Sequence, residues 1–153
     1  MSEDARFEDG GEKPLHLGAM DPDDLSVLSA LCQDAVFPGS EITWQPKTRR
    51  LALLLNRFRW ERGGGPAERV RSVLVIENVL RVQSQGVAKG DADTVHALLS
   101  VGFEPGEDGA GHVELVLAGD GAIRAEVEAL ELVLKDVTRP YGAPSKKRPF
   151  HPE

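Results

Sequence analysis

The side chains in this sequence best suited to binding chemistry are arginines, and most of them lie in one segment. Between Arg49 and Arg71 there are seven arginines and only two acidic residues, in a chain whose formal net charge is −7. A guanidinium group is always charged and presents five N–H donors, which suits it to phosphate and carboxylate groups. The segment therefore predicts an anion-binding surface.

The spacing of these arginines indicates which of them share a face. Arg57 and Arg59 are two residues apart, so a strand places both on one side. The arginines of the next strand would join them if the two strands pair. A solvated face whose arginines pair with carboxylates of the chain is the alternative. The candidate site comprises these four arginines and two neighbours on the opposite strand face, namely Asn56, Arg57, Arg59, Trp60, Arg69 and Arg71.

Other reaction chemistries have little support in the sequence. The four histidines stand singly, and no Cys/His or His/Glu cluster has the spacing of metal ligands. Gly63-Gly64-Gly65 lacks the lysine and the Ser/Thr of a phosphate-binding loop. Glu126 and Glu128 share a strand face, which is more typical of a solvated hairpin than of paired catalytic carboxylates. No metal, cofactor or catalytic residue is predicted, and a non-enzymatic role is favoured.

One N-terminal helix, from Asp21 to Ala35, is the first element that the pattern predicts. Asp21 suits the N-cap and Pro22 the first helical position. Leu25, Leu28 and Cys32 then recur at helical spacing. The helix is therefore predicted to lay one apolar stripe on a sheet, with the single cysteine buried as a small hydrophobic residue.

Beyond this helix the apolar residues mostly alternate, which predicts antiparallel strands. The third predicted strand changes phase near Glu77-Asn78, as a bulge or bend would produce. A short second helix is predicted to begin at Gly90–Thr94, and Gly119-Asp120-Gly121 gives the clearest hairpin turn. The predicted strands cover residues 41–45, 50–61, 69–84, 101–104, 112–117 and 122–136.

The last of these strands has two interpretations. Residues 122–136 fit one bulged strand, because the alternation reverses phase at Ala129-Leu130. The apolar residues of 126–137 also fit a helix.

Two parts of the pattern resemble each other. Residues 51–61 followed by 69–87, and residues 112–117 followed by 122–137, each give a straight strand, a loop and a long strand with a change of phase. Together they predict a mainly β (α+β) fold, a curled antiparallel sheet or partly open barrel of the PH-like kind.

Length and composition bound the organisation of the chain. At 153 residues, with 41% hydrophobic and 28% charged residues, the chain fits one domain. Residues 1–14 are predicted to form a disordered acidic tail, 15–137 a single β-rich domain, and 138–153 a Pro-rich basic tail.

The same composition predicts a cytoplasmic location. One cysteine excludes an internal disulfide and fits a reducing compartment. No apolar run is long enough for a membrane span, and the first residues lack the pattern of a signal peptide. The acidic balance disfavours nucleic acid as a partner.

Several motifs resemble a known family. The run from Leu51 to Glu61, LALLLNRFRWE, is similar to the most recognisable motif of a family of short alphaproteobacterial proteins catalogued only as a domain of unknown function. The segments 21–35, 103–106 and 121–128 are also similar to it, and the resemblance covers residues 15–137. It implies a bacterial cytoplasmic protein but no activity.

Three functions remain open at this point. The first is an interaction or accessory module whose arginine-bearing face binds an acidic protein or an anionic small ligand. The second is a small-ligand-binding protein or enzyme with a site near Asn56 and Trp60. The third is a structural homo-oligomer assembled through exposed strand edges.

Overall fold

The computed structural model describes residues 14–60, 68–88 and 90–142. The predicted glycine loop at 62–66, most of the N-terminal tail and residues 143–153 lie outside these ranges. The elements, in chain order, are β1 (His16–Ala19), α1 (Pro22–Cys32), β2 (Val36–Pro38), a 3₁₀ turn (Gly39–Glu41), β3 (Ile42–Gln45), β4 (Arg50–Phe58), β5 (Glu68–Ile76), β6 (Val79–Gln85), β7 (Val95–Pro105), β8 (Gly111–Leu117), β9 (Ala122–Val127), β10 (Leu132–Asp136) and β11 (Tyr141–Gly142).

Helix α1 begins as its sequence predicts. The backbone N–H of Asp24 donates to Oδ1 of Asp21 at 2.8 Å, so Asp21 caps the helix. Leu25, Leu28 and Cys32 are buried on one stripe, and the helix packs chiefly against β7 and β1. The prediction of an N-terminal helix with a buried cysteine is confirmed.

The strands form a mainly antiparallel sheet that does not close among the described residues, in agreement with the predicted curled sheet. Its strand order is β1-β10-β5-β4-β2-β7-β8-β9-β6, with β3 beside β4 and β11 beside β5. We call β1, β10, β5, β4 and β3 the first half-sheet, and β7, β8, β9 and β6 the second. The three-residue strand β2 pairs with both β4 and β7 and so joins the halves.

Two corners also join the half-sheets. The predicted change of phase at Glu77-Asn78 is confirmed as the break between β5 and β6, where Asn78 has a φ of +61°. Beside it, residues 128–131 separate β9 from β10. The Asn78 carbonyl accepts from the N–H of Glu128 at 2.9 Å, and the Glu77 N–H donates to the Glu131 carbonyl at 3.0 Å. The corners therefore lie side by side.

The helical interpretation of residues 126–137 is wrong, and the predicted reversal at Ala129-Leu130 is a break between two strands and not a bulge within one. β9 pairs with β8 and β6, whereas β10 pairs with β5 and β1. The segment is thus two strands in different half-sheets, because the corner redirects the chain. The hairpin at Gly119-Asp120-Gly121 is confirmed, since β8 and β9 pair across it.

The predicted second helix is also wrong. Asp91 accepts from the N–H of Asp93 at 2.8 Å and from the Thr94 hydroxyl at 2.9 Å, which makes a local turn rather than a helix cap. The same hydrogen bonds, the one from Asp93 first, lower the pKa of the Asp91 carboxyl. Strand β7 starts immediately afterwards and extends for 11 residues.

The chain beyond β10 continues along β5. The Arg71 N–H donates to the Thr138 hydroxyl at 3.0 Å, and Tyr141 pairs with Arg69 in β11. The first residues of the predicted C-terminal tail therefore extend the first half-sheet.

The core lies between the two half-sheets and α1. Its largest buried residues come from both halves and from the β2 bridge, and include Phe37, Leu53, Leu74, Leu98 and Leu115. Within the described ranges, no helix has both the length and the apolar character needed to cross a membrane.

Candidate functional site

The register of β4 and β5 decides which predicted site residues share a face. Asn56 pairs with Arg71, and Phe58 pairs with Arg69. Residues paired across antiparallel strands project to the same side, so Arg69 and Arg71 lie on the face of Asn56. Arg57, which pairs with Val70, lies on the opposite face. The prediction of one face with four arginines is therefore wrong, because the register places the two pairs on opposite sides.

Arg57 is buried in an ion pair. Its Nη2 donates to Oδ1 of Asp136 at 2.9 Å, and its Nε donates to the Ser72 hydroxyl oxygen at 2.9 Å. The Ser72 hydroxyl donates to Oδ1 of Asp136 at 2.7 Å, and the Leu15 N–H donates to Oδ2 at 2.9 Å. The cluster therefore ties together β4, β5, β10 and the chain entering β1.

Arg59 is also turned away from solvent, with only 5% of its surface exposed. Its Nη1 donates to Oε1 of Glu68 at 2.6 Å. Because β5 supplies this carboxylate, the interaction joins the end of β4 to the start of β5.

Trp60 and Phe58 form a small aromatic cluster separate from the main core. Their ring centroids are 4.8 Å apart, and the Arg69 guanidinium carbon lies 5.8 Å from the centre of the Phe58 ring. Nε1 of Trp60 donates to the Gln33 carbonyl at 2.8 Å. Nη1 of Arg69 donates to the Asn56 carbonyl at 3.4 Å. The cluster thus holds the half-buried Asn56 and Arg69 beside the aromatic rings and anchors them to the end of α1.

The outer face of the first half-sheet carries further basic residues. Lys135 pairs with Val73, and His16 pairs with Lys135, which places both on the side of Arg69 and Arg71. Lys135, His16 and Arg71 are exposed, and Arg69 is half-buried. We call these four residues, Arg69, Arg71, Lys135 and His16, the basic face.

The acidic residues of the same strands point the other way. Asp136 of β10 forms an ion pair with the inward-facing Arg57, and Glu68 of β5 forms one with Arg59. The alternation of the strands therefore places these carboxylates on the inner side, where Arg57 and Arg59 pair with them, and the basic face on the outer side.

An apolar area adjoins the basic face on the same side of the sheet. Its members are half-buried, and the register aligns them in neighbouring rows. They are Ala52, Leu54, Val73, Val75 and Val133. Arg50 and Glu77, with Nε 3.1 Å from the carboxylate, form an ion pair at the far end. The outer face is thus apolar in the middle and basic at one end.

Two grooves among the described residues have linings that do not include Asn56 or Trp60. One of about 420 Å³ runs between α1 and β7, and an apolar crevice of about 90 Å³ lies between β3 and β6. Among the described residues, no group of three or more His, Cys, Asp or Glu side chains could hold a metal ion.

Sequence reasoning missed Lys135 and His16. The alternation of Leu132, Leu134 and Asp136 as inward-facing residues does mark Lys135 as outward-facing. However, the residues that β10 pairs with are distant in sequence, so no local pattern brings Lys135 and His16 beside Arg71.

The comparisons with known proteins place the chain in a family but assign no activity. Residues 15–151 match the family described as protein of unknown function (DUF2948), and the chain belongs to it. This confirms the resemblance to a family of unknown function. No curated protein and no solved structure matches the chain.

Proposed function

We propose that this member of the DUF2948 family is a non-enzymatic interaction module of the bacterial cytoplasm, and that its basic face binds an acidic segment of a partner protein. One observation carries the proposal. Arg69, Arg71, Lys135 and His16 are gathered on one outer face of a chain whose formal net charge is −7. The cytoplasmic setting rests on the sequence resemblance and on the single, buried thiol.

The partner segment combines carboxylates with apolar side chains. The basic face adjoins the apolar area formed by residues such as Leu54 and Val75. A chain laid across both would bury apolar surface in the middle and pair its carboxylates at one end. The charges would mainly steer and orient the encounter, and the apolar contacts would supply affinity.

The size and setting of the face favour a short segment over a nucleic acid. The basic face spans β1, β10 and β5, which covers roughly 10 Å at the usual spacing between strands. A long polyanion would extend beyond it and meet the acidic remainder of the chain.

The test uses a fluorescent peptide in which glutamate and leucine alternate. Binding is measured by fluorescence anisotropy for the wild type and for the double variant Arg71→Glu, Lys135→Glu. The matched control, Lys47→Glu with Arg81→Glu, changes the net charge equally at exposed positions outside the basic face. We expect the first variant to bind about tenfold more weakly and the control to bind like the wild type, at a salt concentration of about 50 mM.

Two results would contradict the proposal. One is equal loss of binding in both double variants, which would reflect overall charge. The other is tighter binding of a DNA duplex than of the peptide at the same salt concentration.

A further inference from the structure

Strand β7 has an edge that is only partly covered. Along one side it pairs with β8 over most of its length. On the other side, β2 covers residues 95–97, and Leu98 exchanges hydrogen bonds with Asp34 and Ala35. The register shifts between Leu98 and Ser100, and beyond this point the uncovered edge faces α1.

The backbone groups along this edge can be followed residue by residue. The Val101 N–H donates to the Ser29 hydroxyl oxygen at 2.9 Å, so Val101 points its backbone groups away from β8. Backbone direction alternates along a strand, so Phe103 points the same way. The Phe103 N–H and C=O and the Val101 C=O have no hydrogen-bond partner in the described parts of the chain. Val101 is only 4% exposed and its N–H is already bonded to α1, so the groups left for pairing are the N–H and C=O of the half-buried Phe103.

A groove adjoins these groups. It has a volume of about 420 Å³ and lies between α1 and β7. Its apolar wall includes Leu99, which is 40% exposed, and Phe103, and its polar wall includes Ser26 and Gln33. The groove can therefore take an apolar side chain next to an extended backbone.

A second groove continues from the first across the edge. It has a volume of about 500 Å³, and Gly102 and Phe103 line both. The position of a Cβ on Gly102 would meet no atom within 4 Å, so the floor between the grooves is open. The second groove is lined by Glu104, Glu114, His112 and Arg124, and Arg124 pairs with Glu104. With histidine counted as neutral, two glutamates and one arginine give this groove a formal charge of −1.

We propose that an extended segment of a partner protein pairs as a strand with the β7 edge at Phe103. Unpaired strand N–H and C=O groups are matched by another extended backbone. An apolar side chain of the segment enters the groove beside Leu99. A lysine or arginine next to it lies over the acidic groove near Glu114.

This site is independent of the basic face. The basic face lies on the first half-sheet and selects carboxylates, whereas the β7 edge lies on the second and selects a segment with cationic and apolar residues. An experiment can therefore contradict one of the two proposed binding sites without contradicting the other.

The probe is a fluorescent peptide in which lysine and valine alternate. Its comparison peptide carries N-methyl groups on the residues that would pair with Phe103, so the side chains are kept and the main-chain donors are lost. We expect the N-methylated peptide to bind at least about tenfold more weakly in fluorescence anisotropy. In hydrogen exchange, the unmodified peptide should slow exchange of the Phe103 amide by at least about tenfold.

Two variants of the protein locate the site. Leu99→Glu places a charge in the groove, and Gly102→Val fills the open floor without a backbone clash. Leu80→Glu is the matched control, because Leu80 is 43% exposed and lies on β6. We expect both groove variants to weaken binding by about tenfold or more and the control to leave it unchanged.

Several outcomes would overturn the proposal. They are equal binding of the two peptides, equal effects of Leu99→Glu and Leu80→Glu, or protection of amides on β1 or β6 instead of Phe103. A dimer of the wild type in sedimentation that Leu99→Glu dissociates would also overturn it, since a second copy would then occupy the edge.

Discussion

Arg57 and Asp136 form a buried ion pair whose side chains are 0% and 3% exposed. Removing two charges from water is costly, and the pair offsets this cost only while its geometry and hydrogen bonds are complete. Ser72 and the Leu15 N–H complete them here. Arg57 therefore acts in the fold and is not available to a ligand.

We predict that Arg57→Met destabilises the protein by about 3–5 kcal/mol, because the Asp136 carboxylate is left buried without its partner charge. Adding Asp136→Asn should recover about half of this loss, since the amide oxygen can still accept a hydrogen bond and no buried charge remains. Urea denaturation measures both. A double variant less stable than Arg57→Met would contradict the prediction.

Cys32 gives a second prediction at the residue scale. Burial raises the pKa of its thiol to about 12, against a smaller lowering by the charge of Arg57. The folded thiol thus keeps its proton where the unfolded thiol loses it. Its contribution to stability is fully present below pH 9 and is lost as the pH rises from 9 to about 12.

We therefore expect the melting temperature of the wild type to fall more steeply above pH 9 than that of Cys32→Val. In addition, a thiol reagent should label the native protein only as fast as α1 opens, and Leu25→Ala should accelerate labelling. Rapid labelling of native wild type near neutral pH would contradict this account.

The sequence around a residue predicts the structural role of some of these residues but not of others. Asp21 and Cys32 are predictable because a cap and a helical stripe depend on neighbours within a few residues. Arg57 is not, because its partner Asp136 is 79 residues away and only the pairing of β5 with β10 brings it close. Lys135 is absent from the predicted candidate site for the same reason, because β10 and β5 are far apart in sequence.

At the scale of elements, the two corners determine the shape of the sheet. β5–β6 and β9–β10 run side by side and cross together from one half-sheet to the other. The change of phase at Glu77-Asn78 is visible in the sequence because alternation reverses there. The corner at 128–131 has the same signal, but its apolar spacing fits a helix equally well, so local pattern alone does not separate the two.

The backbone conformation of Asn78 gives a testable prediction for the corner between β5 and β6. Its φ of +61° lies in the left-handed region, which a β-branched side chain adopts only under strain. We expect Asn78→Val to cost about 2 kcal/mol or more, and Asn78→Gly to cost about 1 kcal/mol or less. Thermal and urea denaturation of both variants provide the measurement. Equal costs would mean that the hydrogen bond from Asn78 to the Ala129 carbonyl, and not the backbone conformation, determines stability.

At the scale of the whole molecule, half of the strand pairs among the described residues join positions about 40 residues or more apart in sequence. Proteins with such contacts fold slowly, because loop closure precedes the contacts that stabilise it. The pairing of β4 with β5, which aligns eight residue pairs, is more local than that of β1 with β10. The hairpin of β4 and β5 is therefore expected to form before β1 docks.

Folding kinetics test this order. Leu53→Ala, in β4, should mainly slow folding, and Leu17→Ala, in β1, should mainly accelerate unfolding. Stopped-flow tryptophan fluorescence over a range of urea concentrations separates the two effects. A slower folding rate for Leu17→Ala, with its unfolding rate unchanged, would show that β1 belongs to the folding nucleus.

The late docking of β1 has a consequence for synthesis on the ribosome. Leu15, just before β1, and its acceptor Asp136 are 121 residues apart, so translation at the usual rates separates them by roughly 6–24 s. During this interval Leu17 and Ala19 of the nascent chain have no strand of the sheet to pack beside. A chaperone that binds nascent chains would therefore need to hold β1 for longer than any later strand, although β1 has only four residues.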